Sequence, residues 1–328
     1  MQEKQEPTNI NSLDKEQFQI MDLNPKTQIF LGLSSKSIFS KLNIMQNKVQ
    51  HFSTLVAQGK QEEAKKLLLK ISVSSLTASV SELMLTDTLF TDYSGRTFNC
   101  TAYEYAYWAK DTHMCRMLEQ QMDTDTKKSM LKRCEAIEKD GLTYKQHGVE
   151  VKGSKHFDLT PLKKALTHYV EGYNNWFNTG NYTAMNAAWM AVGLAQRELP
   201  VHVITEYCRP DRSFSPKPEF DEPTLPRVLI YYDYRMHEDR ALFPLDFSDS
   251  SGLGVDFALI RGGWHNGASG LLRRLGSGVG GGPSAALDLA AMSRLDEVRT
   301  ADLSQSRDIL STAEAENSSG IWRYESYY

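Results

Sequence analysis

Five of the chain's 11 prolines fall between Arg209 and Pro226, and this clustering constrains the fold more than any other feature of the 328 residues. Proline fixes φ and has no backbone N–H to donate, so such a stretch forms neither a helix nor an inner strand. It predicts an extended, irregular crossing held at the surface. Two kinds of pattern flank it. Before the crossing, apolar residues return at helical spacing; after it, Val228-Leu229-Ile230-Tyr231-Tyr232 is β-branched and aromatic. The expected fold is mainly α with a small antiparallel β region in the C-terminal third, α+β overall.

The helical part reads as hairpins. Val49, Phe52, Leu55 and Val56 share one face, Gln58-Gly59 breaks it, and Ala64, Leu67 and Leu68 follow in a strongly helical segment. After a polar turn over 92–98, Thr101 as N-cap and Glu104 three residues on predict a capping box opening a helix to Ala109. Met114, Met117, Leu118 and Met122 continue an apolar stripe, assigned to core. Lys127 to Lys139 is charged and helical, and Gly141 to Lys155 reads as a polar connection at a boundary. Thr160 as N-cap and Pro161 at the first helical position then introduce the stripe Leu162, Ala165, Leu166, Tyr169, Val170 and Tyr173. Asn174 to Thr183 is a turn-rich break. Ala184 to Leu199 is apolar on most sides and predicts a central helix stopped by Pro200. Val201 to Tyr207 suits a strand by its β-branched residues and a short helix by the preceding proline; both stay open.

Beyond the crossing, strands are expected at Val228–Tyr232, Ala241–Phe243 and Val255–Ile260, followed by a helix from Ser284 to Val298 with Ser284 as its cap. The chain divides into a polar leader (1–40), a helical hairpin region (41–140), a helical region with a small sheet (156–305) and a tail (306–328).

Lys and Arg number 37 against 41 Asp and Glu, a net charge of −4, so no basic surplus exists to neutralise a phosphate backbone and nucleic acid is excluded as a partner. The longest apolar stretch, Ala187 to Ala195, falls short of the roughly 20 residues that cross a bilayer. Met1 to Pro7 lacks the apolar core of a secretory signal, so folding in a cytosol is expected. Four cysteines without a CxxC pair predict reduced thiols and no metal site.

Candidate chemistry is sparse. Gly276-Ser277-Gly278-Val279-Gly280-Gly281 fits GxGxxG, but Leu271-Leu272-Arg273-Arg274-Leu275 before it does not read as the strand of a βαβ unit. It is taken as a Gly linker, with a phosphate site as the alternative, and no cofactor is expected. Cys208 precedes Arg209 and Arg212, whose positive field would lower a thiol pKa; His156, His202 or His265 as base and Asp158 as orienter would complete a Cys-His-Asp set. The alternative is an inert buried thiol. Arg209-Pro210-Asp211-Arg212 reads as an ion-paired turn, or as a pair of guanidinium groups seating a phosphate or carboxylate. His113 and Cys115, two apart on a helix, face different ways and make no metal pair. Trp264 after Gly262-Gly263 is a loop aromatic suited to a partner or to covering the sheet.

Two resemblances add to this. Gly59, Ala64, Leu67 and Leu68, and again Thr101, Ala106 and Leu118, sit at the offsets of ankyrin repeats, with Lys110 where the turn glycine belongs. The hairpins therefore resemble a degenerate ankyrin array, with generic helical hairpins as the alternative; the resemblance implies binding through turn tips such as the loop carrying Asp92 and Arg96. The phrases Asp92-Tyr93-Ser94-Gly95-Arg96-Thr97-Phe98, Tyr105–Asp111, Glu206–Phe214 and Gly252–Phe257 resemble a family of uncharacterised effectors that Legionella-like intracellular bacteria inject through a Dot/Icm (type IVB) secretion system. That resemblance implies delivery from the bacterial cytoplasm to a host cytoplasm and a host protein as partner. The tail, with Glu314, Glu316 and Ile321-Trp322-Arg323-Tyr324 to Tyr328, is similar to the segment such machinery reads. A protein-interaction adaptor is the expected function; a cysteine-nucleophile hydrolase or transferase using Cys208 is the alternative.

Overall fold

A computed structural model describes residues 43–73, 79–234, 236–245, 252–262, 268–272 and 281–320. The leader, Trp264, His265, the glycine run from Gly276 to Gly280 and the aromatic end of the tail lie outside the described residues. The chain separates into two units, Met1–Lys48 and Val49–Tyr328. In the first, residues 43–48 are helical.

The second unit begins with helix α1 (49–57), whose Val49, Phe52, Leu55 and Val56 are all buried. Gly59 takes φ +68° in the turn, where an L side chain would be strained, and α2 (Gln61–Val73) returns. After α3 (Val80–Leu85), the strands β1 (Thr88–Thr91) and β2 (Thr97–Cys100) form a hairpin. Then follow α4 (Ala102–Ala109), α5 (Thr112–Glu119) and α6 (Thr124–Asp140). The Thr101–Glu104 capping box forms in full, each side chain bonding the other residue's backbone N–H. Lys110 ends α4 at φ 61°, the left-handed conformation of a turn glycine, and Asp111 caps α5 through Met114 N–H.

The polar stretch read as a connection is instead a hairpin of two strands, β3 (Leu142–Gln146) and β4 (Val149–Ser154). It joins the first hairpin through Phe98 opposite Tyr144, giving an antiparallel sheet ordered β1-β2-β3-β4. Helix α7 (Thr160–Asn178) starts one residue away from the expected cap: Leu159 is the N-cap, and the side chain of Asp158 accepts from Thr160 N–H at 2.8 Å. The helix also runs through much of the expected break. Its Leu162, Leu166, Tyr169 and Tyr173 are buried against Met185, Trp189 and Val192 of α8 (Tyr182–Arg197). The ambiguous segment after Pro200 is a helix, α9 (Val201–Cys208), every residue of which is buried.

The second sheet has β5 (Ile230–Asp233), β6 (Glu238–Ala241), β7 (Phe257–Ile260) and β8 (Ala268–Leu272) in the order β6-β5-β8-β7. Its β5–β8 pairing is parallel, and β8 includes Leu271 and Leu272, which the sequence pattern had not marked as strand. A long helix, α10 (Gly281–Gly320), begins ahead of Ser284, which is therefore not its cap. At 1.5 Å per residue it measures about 60 Å. It packs against α5, α6 and α7, and Lys110, Thr112 and Arg116 bond its Asp296 and Asp302. The mainly helical α+β class holds. No described helix is long and apolar enough to cross a membrane.

Candidate functional site

A cleft of about 240 Å³ opens where the first sheet meets the ends of α7 and α8. Its floor is aromatic and its rim is charged. Alternation along β3 turns Tyr144 and Gln146 toward it while their neighbours face away, because successive strand residues point to opposite faces. Trp108 enters from α4, and Phe157 is tied to the same helix by its N–H on the Trp108 carbonyl at 2.8 Å. Trp108 Nε1–H donates to Ser154 Oγ at 2.8 Å, fixing the indole.

Arg96 lies in the wall and is 1% exposed. Its guanidinium carbon sits 5.5 Å from the Trp108 ring centre and 5.1 Å from that of Phe157, within cation–π range. Nη1 donates to Asp92 Oδ2 at 2.7 Å and Nη2 donates to the Glu198 carbonyl. Asp92 is buried as well. The expectation of an exposed, partner-binding turn tip at Asp92 and Arg96 is thus corrected: both charges face inward and neutralise each other.

Two carboxylates line the cleft, Asp158 at the start of α7 and Glu198 after α8. Glu198 is partly exposed and accepts from Gln146 Nε2, with His147 Nε2 3.5 Å and Arg96 Nη2 3.8 Å from its carboxylate. His156 pairs with Glu138 at 3.1 Å, and Tyr107 donates to the same carboxylate oxygen at 2.7 Å. Burial lowers the His156 pKa although Glu138 works against the shift. Burial would raise Glu138, but the hydrogen bond from Tyr107 and the contact with His156 hold it below the usual carboxylate range.

The Cys-His-Asp expectation fails on geometry. Cys208 is 2% exposed in the apolar core with Tyr207, Phe214 and Ile204, and burial pushes its thiol up to about 12 despite Arg261. His156 is held by Glu138, and Asp158 bonds the α7 backbone. The structure does not bring the three together, and a protonated thiol is no nucleophile. Cys100, Cys115 and Cys134 are also free and buried.

Arg209 and Arg212 are not free to seat a phosphate either. Arg209 Nε and Nη2 each donate to Asp211 at 2.8 Å, making the ion-paired turn. Arg212 donates to Glu222 Oε1 at 2.6 Å and to Glu206, and stacks 4.3 Å from the Phe220 ring. Glu206 is fully buried on α9, and its second oxygen accepts from Arg299 of α10 at 3.2 Å. Arg261 donates to the carbonyls of Arg209 and Arg212. The proline-rich crossing is therefore held to α9 and α10 by charge pairs and to the end of β7 by the hydrogen bonds from Arg261. Sequence reasoning missed Glu206, Arg261 and Arg299. The signal was there for two of them: a lone charge inside or beside an apolar run, as in Val201–Cys208 and Phe257–Ile260, has to find a buried partner. It also missed Tyr144, Gln146 and Glu198 of the cleft, which only the first sheet brings together. Among the described residues no group of three or more His, Cys, Asp or Glu side chains is arranged to hold a metal.

Comparison with known proteins gives one family. Residues 161–310 match the family described as the CBUA0006 C-terminal domain. The chain is 36% identical over 276 residues to the "Uncharacterized protein CBUA0006" of Coxiella burnetii (strain RSA 493 / Nine Mile phase I), an alignment covering 80% of this chain and 75% of that one. No solved structure matches.

Proposed function

The chain belongs to the family of the Coxiella burnetii protein CBUA0006, and on that premise we propose that it is a secreted adaptor, a protein-interaction module that acts in a host cell without chemistry of its own. The observation that carries this reading is the fate of the reactive side chains. Cys208 is sealed in the core, His156 is spent on Glu138, and Arg209 and Arg212 are spent on Asp211, Glu206 and Glu222. The delivery half of the reading is supported by Coxiella being a Dot/Icm-bearing relative of Legionella. The binding half is supported by apolar side chains left in solvent on hairpin ends: Phe177 and Tyr182 flank the Gly180 turn between α7 and α8 and are each nearly half exposed.

The full chain, used as bait in host-cell lysate beside a Phe177→Ser/Tyr182→Ser variant, tests the binding half. A host protein held by the first and released at least tenfold by the second is expected; no protein enriched over a control bait overturns it. A reporter fused to the chain tests delivery. Entry into host cells that depends on the secretion system and on residues 306–328 is expected, and entry unaffected by either change overturns it.

A further inference from the structure

We propose that the cleft beside Arg96 receives a cationic side chain, lysine or arginine, from the partner protein; the inference rests on the adaptor reading and specifies the chemistry of its contact. Size comes first. A cleft of about 240 Å³ is smaller than the ~300–1,000 Å³ of sites that hold drug-sized ligands or cofactors, and suits one side chain.

Charge decides the sign. Arg96 is the cleft's buried cation; it pairs with Asp92 at 2.7 Å, and its Nη2 lies 3.8 Å from the Glu198 carboxylate. Asp158 and Glu198 both line the opening, so with Asp92 three carboxylates surround one guanidinium and the cleft keeps a negative excess. The imidazole of His156, held below its usual pKa by burial, adds no full positive charge near neutrality. An anion entering would meet both carboxylates and a guanidinium already shared between Asp92 and Glu198. A cation would gain from both, with the modest attraction of solvent-accessible carboxylates, largest at low salt.

The walls complete the argument. Tyr144, Phe157, Pro161 and Leu199 supply apolar surface for an aliphatic stem, while the rim carboxylates take the charged head, the way long basic side chains bury their stems and keep their heads polar. The chain itself supplies the precedent, since Arg96 packs its own guanidinium between Trp108 and Phe157.

Titration of the full-length protein in low salt with Nα-acetyl-lysine methylamide and Nα-acetyl-arginine methylamide tests this. The indole N–H resonance of Trp108, assigned with Trp108→Phe, reports on the cleft because it bonds Ser154 there. The neutral control is the lysine probe acetylated at Nε, and the anionic control is N-acetylglutamate. A saturable shift is expected with at least one cation, weaker by tenfold or more for both controls and for the Asp158→Asn/Glu198→Gln variant, whose fold is checked by its thermal transition. An equal response to neutral and cationic probes, a stronger response to the anion, or no saturable shift with either cation overturns the inference. Failure of the adaptor reading is read separately. If the lysate bait captures a partner that Asp158→Asn/Glu198→Gln still holds, the cleft inference fails and the adaptor stands; if no partner is captured while the cation shift saturates, the adaptor reading fails and only the cleft's selectivity for a cation stands.

Discussion

The Asp92 carboxylate accepts four hydrogen bonds, from the N–H groups of Ser94 and Arg96, the Arg96 guanidinium and the Tyr105 hydroxyl. Removing it strips a buried arginine of its counter-charge, which in a buried pair costs about 3–5 kcal/mol. Asp92→Ala is therefore expected to lose stability on that scale in urea denaturation. Asp158→Asn, on an exposed side chain whose backbone contact an amide oxygen can keep, is expected to shift stability by only about 0.5 kcal/mol. The chain singles out Asp92 and Arg96 by their turn spacing but does not say which way they face. Their burial is imposed by the carbonyls of Glu198 and Leu199, which Arg96 and Ser94 reach from more than 100 residues away. The thiols give a second prediction at this scale. With all four buried, and Cys208 pushed up to about 12, the native protein should react with Ellman's reagent at pH 8 far more slowly than after urea unfolding, where four equivalents are expected. One thiol reacting at the unfolded rate in the native protein would restore Cys208, or another cysteine, as a candidate nucleophile.

At the level of elements, the turn between α4 and α5 separates backbone cost from side-chain gain. Lys110 sits at φ 61°, a conformation that costs an L residue roughly 1–2 kcal/mol, while its ammonium bonds Asp296 at 2.9 Å and Thr300 at 3.1 Å. Lys110→Ala and Lys110→Gly both lose the ion pair, but only glycine relieves the backbone. The glycine variant is expected to be the more stable of the two by about 1 kcal/mol in the same denaturant series. The elements most legible in the sequence are those whose burial is one-sided: the α7 stripe from Leu162 to Tyr173 and the Thr101 capping box form as read. The β3–β4 hairpin was not legible, because its residues are half-exposed or exposed throughout and its hold on the sheet comes from β2, some 45 residues earlier. Since β3 carries Tyr144 and Gln146, missing the hairpin meant missing the cleft. β8 was hidden by its position, as a glycine-containing strand pairing with β5 in parallel across a long connection.

Across the whole molecule, the crossing, α5, α9 and α10 share one buried charged interior, and its response to acid follows from the histidines inside it. His202 is 2% exposed, and burial together with Arg227, Arg299 and His113 drives it down to about 3, against the pull of Asp111. His113, bonded to the Glu222 carbonyl at 2.9 Å, falls to about 4 through burial and Arg299. Each imidazole takes a proton near pH 6.5 when unfolded but refuses it when folded, so stability present above 6.5 is lost as pH falls toward 4. Asp288 acts in the opposite sense. Burial raises it to about 8 although Arg261 and Gly262 donate backbone N–H groups to it, so the folded chain keeps a proton there that the unfolded chain releases above about 4. Burial also raises Glu119, while His156 is lowered and adds to the side of the other histidines. Between pH 6.5 and 4 the unfolded state thus gains up to three protons on histidine, against the one or two that the folded state holds on Asp288 and Glu119. Net stability is expected to fall on acidification by an order of 1 kcal/mol per pH unit, since one proton of difference is worth about 1.4 kcal/mol per unit. Urea midpoints at pH 7.5, 6, 5 and 4.5 measure this. In a His113→Gln/His202→Gln variant only His156 stays on the losing side above pH 5, before Glu138, Glu222 and Asp111, all held low in the fold, add their own acid sensitivity; its midpoint should therefore fall much less between pH 7.5 and 5 than that of the parent. A variant whose midpoint still falls as steeply as that of the parent would place the acid sensitivity outside the interior that α9 and α10 enclose.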